Sequence, residues 1–92
     1  MASVIITMKV MPISPDVNMK ELEARVKEKI VEFAGEGEIR TELQPVAFGL
    51  KALQVIFVMD ESKGATDPLE EAIRSIEEVN SAEVVGVTRA LG

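Results

Sequence analysis

The 92-residue chain has no cysteine, histidine, tryptophan or tyrosine, and its only aromatic residues are three phenylalanines. Without cysteine there can be no disulfide, thiolate metal site or cysteine nucleophile. Without histidine the chain lacks the commonest acid–base group at neutral pH and the commonest imidazole ligand. No apolar run approaches the roughly 18 residues of a membrane span, and the opening "MASVIITMKV" has neither the length nor the cleavage-site pattern of a signal peptide. The chain therefore reads as cytoplasmic. Positive charge is scarce too: 10 Lys and Arg stand against 16 Asp and Glu, for a net charge of −6. Such a field repels nucleic acid and anionic membrane, and it suits a protein partner with a basic patch.

What is present is a hydrophobic content of 47% with 28% charged residues, which is enough for a single small core. One domain over residues 1–92 is expected, without repeats, low-complexity tracts or linkers. "SVIITMKVM" is β-branched and imperfectly alternating, as a strand with one buried face would be. "PISPD" breaks regular structure. In "NMKELEARVKEKIVEF", Asn18 stands three residues before Glu21 as an N-cap, and Met19, Leu22, Val26, Ile30 and Phe33 recur at helical spacing. "GEG" ends that helix.

A short polar strand follows from Ile39 to Leu43 and stops at Pro45, which has no N–H for a ladder and marks an edge. Leu53, Val55, Phe57 and Met59 then alternate through the clearest strand, up to the turn "DESKG". Asp67, Pro68 and Glu70 signal a second helix with a stripe of Leu69, Ala72, Ile73 and Ile76. "SAEVVGVTRAL" closes the chain as a strand, with a bulge or close backbone approach expected at Gly86. The order β-α-β-β-α-β implies an α+β, ferredoxin-like sandwich: a four-stranded antiparallel sheet with two helices on one face. The other sheet face is left open.

Function must be argued from sites, because this fold serves many. A small acyl-phosphate phosphatase needs an anion cradle, and the only candidate, "FAGEGEIR", carries glutamates that repel phosphate. An RNA-binding module needs aromatics on its central strands and a basic surface; here only Phe57 is available, and it reads as core. Glu70, Glu71, Glu77 and Glu78 around the second helix read as a solvated face rather than a catalytic pair, and Lys27 and Lys29 as helix-surface charges. No cofactor or metal site is indicated, and the chain is not expected to be an enzyme.

Protein binding remains. Phe48, between Ala47 and Gly49, sits at the entrance of the strongest strand, either capping one end of the core or presented to a partner. Gln44 to Gly49 forms a loop long enough to protrude, and loops on rigid scaffolds are where binding concentrates. Arg89, by itself, reads as a solvated charge near the C-terminus.

"PVAFGLKALQ", then "MDESKG", "DPLEEAIRSIEEV" and "SAEVVGVTRAL", resemble the nucleotide-exchange domain of elongation factor 1-beta, and "VMPISPDVNMKELEARVKEKI" resembles its archaeal form. The likeness covers essentially the whole chain. It implies the same sandwich fold and the exchange of GDP for GTP on elongation factor 1-alpha, with the chain acting as a monomer. It implies that the family's inserting phenylalanine falls on Phe48, flanked by Ala47 and Gly49, with the glycine letting the partner's backbone approach. It also implies that the family's basic residue, which approaches the Mg²⁺ and phosphate region, falls on Arg89. Eukaryotic members typically have lysine there, a different donor geometry. Their N-terminal extensions are not expected here, since the first strand begins almost at Met1. A small regulatory or oligomerisation domain that binds a small ligand is the alternative.

Overall fold

The computed structural model describes residues 3–35 and 37–90. Strand β1 (Ser3–Pro12) buries Ile6, Met8 and Val10 at two-residue spacing, as a pleat with one covered face requires. Helix α1 (Met19–Ala34) starts where the Asn18 side chain accepts the Lys20 and Glu21 N–H groups at 3.1 and 3.2 Å. Those are two of the donors that a first helical turn leaves unpaired. Leu22, Val26 and Ile30 form its fully buried stripe, and Met19 and Phe33 pack at the margins. Each such aliphatic side chain stabilises the fold by about 1.5–3 kcal/mol on burial. Gly35, at φ 84°, ends the helix with its N–H on the Val31 carbonyl.

Strands β2 (Ile39–Pro45) and β3 (Lys51–Asp60) pair as an antiparallel hairpin. Leu53, Val55, Phe57 and Met59 of β3 are buried as the alternation predicts. Helix α2 (Asp67–Arg74) and strand β4 (Val79–Ala90) complete the order β-α-β-β-α-β. α2 starts at Asp67, as the sequence signals; Thr66 occupies the N-cap, and its hydroxyl donates to the Glu70 carboxylate at 3.0 Å. Asp67 and Pro68 are first-turn residues, where negative charge and a missing N–H are both tolerated. Two boundaries differ from the sequence reading: Ile76 lies beyond the end of α2 yet stays buried, and β4 begins at Val79 rather than Ser81.

The sheet order is β2-β3-β1-β4, antiparallel throughout, the arrangement of a ferredoxin-like sandwich. The core lies between this sheet and the two helices. The opposite face displays Ile5, Thr7 and Lys9 of β1 beside Gln54, Ile56 and Val58 of β3. Between Thr7 and Met8 the facing residue jumps from Gly86 to Val84, so β4 bulges at Val85. A Cβ on Gly86 would lie 3.6 Å from Thr7 Cβ, which is the close approach anticipated there.

Polar ties hold the layers in register. Arg25 of α1 grips both oxygens of Glu78 at 2.9 and 2.8 Å, and Arg74, paired within α2 to Glu70 at 2.9 Å, donates from Nε to the Ala82 carbonyl of β4 at 3.1 Å. Glu70 and Glu78 are thus half-covered partners in ion pairs, whereas Glu71 and Glu77 are the exposed carboxylates expected. The Thr41 hydroxyl of β2 donates to Glu23 of α1 and holds that carboxyl below its ordinary range, with Lys27 nearby acting in the same direction. Among the described residues no helix is long and apolar enough to cross a membrane. The one-domain expectation also spans Met1, Ala2, Glu36, Leu91 and Gly92, which lie outside the described residues.

Candidate partner-binding site

At one end of the sheet the β2–β3 hairpin closes over a very short tip. Pro45 pairs with Lys51, the Val46 N–H donates to the Leu50 carbonyl at 2.8 Å, and the Leu50 N–H returns to the Ala47 carbonyl at 3.3 Å. Ala47 to Gly49 make a single tight turn. Within it Phe48 has φ 63° and ψ 29°, and Gly49 follows at φ 75°. Phe48 is the one non-glycine residue with positive φ among those described. That conformation suits glycine, and costs an L-residue with a Cβ about 1–2 kcal/mol.

No packing inside the chain offsets this cost. Phe48 is 93% exposed, so the reading in which it caps the core is excluded. An added Cβ on Gly49 would touch nothing of this chain within 4 Å, so inside the protein it is the backbone dihedral that favours glycine there. Ala47 is exposed beside them. The tip borders the β1–α1 connection, where Pro12, Ser14, Pro15, Val17 and Met19 join Gly49 and Lys51 around a cleft of about 170 Å³.

Arg89 lies elsewhere. On β4 it stands opposite Val4 of β1, which stands opposite Met59 of β3. Val4 packs against the core, so Arg89 is on the helix-bearing side. It is not a lone solvated charge, because its Nη2 donates to Glu61 Oε1 at 2.7 Å, with 65% and 46% of the two side chains exposed. Glu61 opens a single turn after β3 (Glu61–Lys63), fixed by the Asp60 carboxylate accepting the Ser62 N–H at 2.9 Å. That hydrogen bond is also the main reason the Asp60 carboxyl sits below its ordinary range. Sequence reading missed the Arg89–Glu61 pair; its only signal was an acidic turn at the end of the strand facing the Arg89 end of the sheet.

The structure therefore groups Ala47, Phe48 and Gly49 and sets Arg89 apart from them. Counting along β3 from Lys51 to Met59 at ~3.3 Å per residue puts the two places roughly 25 Å apart, in a molecule 42 × 21 × 18 Å across. Among the described residues no polar or charged side chain is buried, so none of them supplies a desolvated acid or base.

Residues 5–90 match the family described as "EF-1 guanine nucleotide exchange domain". The chain is 42% identical over 91 residues to a Methanococcus aeolicus protein named "Elongation factor 1-beta", covering 96% of this chain and 98% of that one. Proteins of the same name from Sulfurisphaera tokodaii, 44% identical with 97% of each chain covered, and from Methanocaldococcus jannaschii, 40% identical with 98% and 100% covered, are similar along their whole length.

Proposed function

The chain belongs to the EF-1 guanine nucleotide exchange domain family, with a nucleotide-exchange role in translation elongation, and from that premise we propose that it promotes replacement of GDP by GTP on elongation factor 1-alpha. The observation that carries the proposal is Phe48: an aromatic ring 93% exposed on a strained backbone that packs on nothing in its own chain. Strain of that kind persists where a site uses it.

An exchange factor performs no covalent chemistry. It binds the nucleotide-free GTPase more tightly than the loaded form, and that difference in affinity is what lowers the nucleotide's affinity. Phe48, framed by Ala47 and Gly49, is the proposed wedge between elements of the GTPase. Arg89 is the proposed cation, directed toward the region where the GTPase holds phosphate and Mg²⁺. Because these groups lie at opposite ends of the sheet, they engage the partner at two separate places along the strand direction. Residues 1–92 act as one exchange domain, in the cytoplasm, as a monomer without a cofactor. The acidic surface gives no reason to expect direct nucleic-acid binding.

The test is release of labelled GDP from an archaeal-type elongation factor 1-alpha. Substoichiometric amounts of this protein should accelerate release, because each rebinding of nucleotide frees the factor for another cycle. No acceleration, or release that scales only with stoichiometric addition, rejects the proposal.

A further inference from the structure

We infer that Glu61 is a positioning residue for Arg89, holding the guanidinium in a presented orientation before any partner arrives. The inference rests on the reading of Arg89 as the cation of exchange. Its physical basis is the cross-link itself. Arg89 is near the end of an edge strand and Glu61 is in the turn after β3, so the contact spans the start of β1, which lies between those strands in the sheet.

The turn that carries Glu61 is held at both ends. Asp60 accepts the Ser62 N–H at one side, and at the other Gly64, at φ 81°, donates its N–H to the Glu61 carbonyl at 3.2 Å. The Glu61 backbone is thus held in place, and its carboxylate reaches Arg89 from a fixed base. It engages Arg89 through Nη2 and one carboxylate oxygen. A guanidinium has five N–H donors in a rigid fork, so most of the fork remains for a partner's carboxylate or phosphate.

A free arginine has much rotamer entropy to lose on docking, and ordering it in advance reduces what binding must overcome. The same contact is no obstacle to docking. Both side chains are largely in water, where an ion pair is weak enough to be shared or exchanged for a stronger partner. A lysine at position 89 would bring three rotating donors and no fixed plane, so this form of orientation is specific to arginine.

Two measurements test the inference. In the free protein, the Arg89 side-chain Nε–H should show a restrained NMR order parameter that falls in Glu61→Gln. In GDP release at saturating factor, Glu61→Gln should be slower by roughly two- to fivefold, the fold-change equivalent of an exposed ion pair, and should add nothing in an Arg89→Ala background. A mobile Arg89 in the wild type overturns the inference whatever the exchange assay shows. A faster Glu61→Gln, or the same loss with and without Arg89, also overturns it. A restrained Arg89 in a wild-type protein that leaves GDP release unchanged overturns the exchange reading, and removes this role for Glu61 with it.

Discussion

The two ends of the sheet present their exposed groups by opposite means. At the hairpin tip the backbone does the presenting: a turn closed by two hydrogen bonds holds Phe48 outward at positive φ, and the ring has nothing around it. At the other end the backbone is an ordinary strand, and a side-chain contact from Glu61 directs Arg89. A short, rigid aromatic can be aimed by dihedral angles alone, because it has two rotatable bonds. A long cation cannot, and needs a second group. Rigid presentation suits an anchor whose worth is buried area, and adjustable presentation suits a charge that must find its counter-charge.

The sharpest way to break this comparison is to remove the anchor. Phe48→Ala should weaken binding to elongation factor 1-alpha by about 2–4 kcal/mol, the scale of a buried aromatic hot spot, with its melting temperature close to wild type because the ring is exposed. Calorimetric titration beside thermal unfolding reads both. Unchanged affinity would take Phe48 out of the interface.

Removing the cation should act on rate more than on docking. Arg89→Ala should cost about 1–3 kcal/mol in transition-state terms, the range for a charge-assisted hydrogen bond, and Arg89→Lys should recover part of it. GDP release at saturating factor across a Mg²⁺ titration separates the three proteins; identical rates and Mg²⁺ dependence would leave Arg89 without a role.

The smallest effect concerns the backbone itself. Phe48→Gly relieves the left-handed strain of about 1–2 kcal/mol but adds unfolded-chain entropy of roughly 0.5–1 kcal/mol. It should therefore melt slightly higher than Phe48→Ala, which keeps a Cβ in the same conformation. A lower melting temperature for the glycine variant would show that the tip is not strained.

The element order was legible because Asn18, Gly35, Pro45 and the alternation from Leu53 to Met59 each act locally. Local spacing misled at the other end of α2, where Ile76 keeps helical spacing with Leu69, Ala72 and Ile73 yet lies past Arg74 and is buried from the connection to β4. "Phe-Gly" marked an exposed turn but not its geometry. Glycine is the usual bearer of positive φ, and nothing in the sequence indicates that the phenylalanine before it shares that conformation. Glu61 was invisible as a partner of Arg89, since the two are brought together only by the strand order β3-β1-β4. The Arg25–Glu78 pair was hidden for the same reason.

The bulge at Val85 has a consequence of parity. Side chains on a strand alternate faces, so one supernumerary residue exchanges odd for even in everything downstream. Before it, the even-numbered Ala82 and Val84 point to the core; after it, the odd-numbered Val87 and Arg89 take that side, opposite Ile6 and Val4. Drawing Val85 into the ladder as an ordinary pair would leave β4 a good strand, but would turn Arg89 to the far face of the sheet, away from Glu61, and bring Thr88 round in its place. Deleting Val85 does the reverse: the strand becomes regular, Gly86 still faces Thr7, and Arg89 keeps its place opposite Val4. The extra valine is therefore tied to the sequence after it, and a single insertion or deletion elsewhere between Val84 and Arg89 that keeps the bulge would move the terminal cation through the thickness of the sheet.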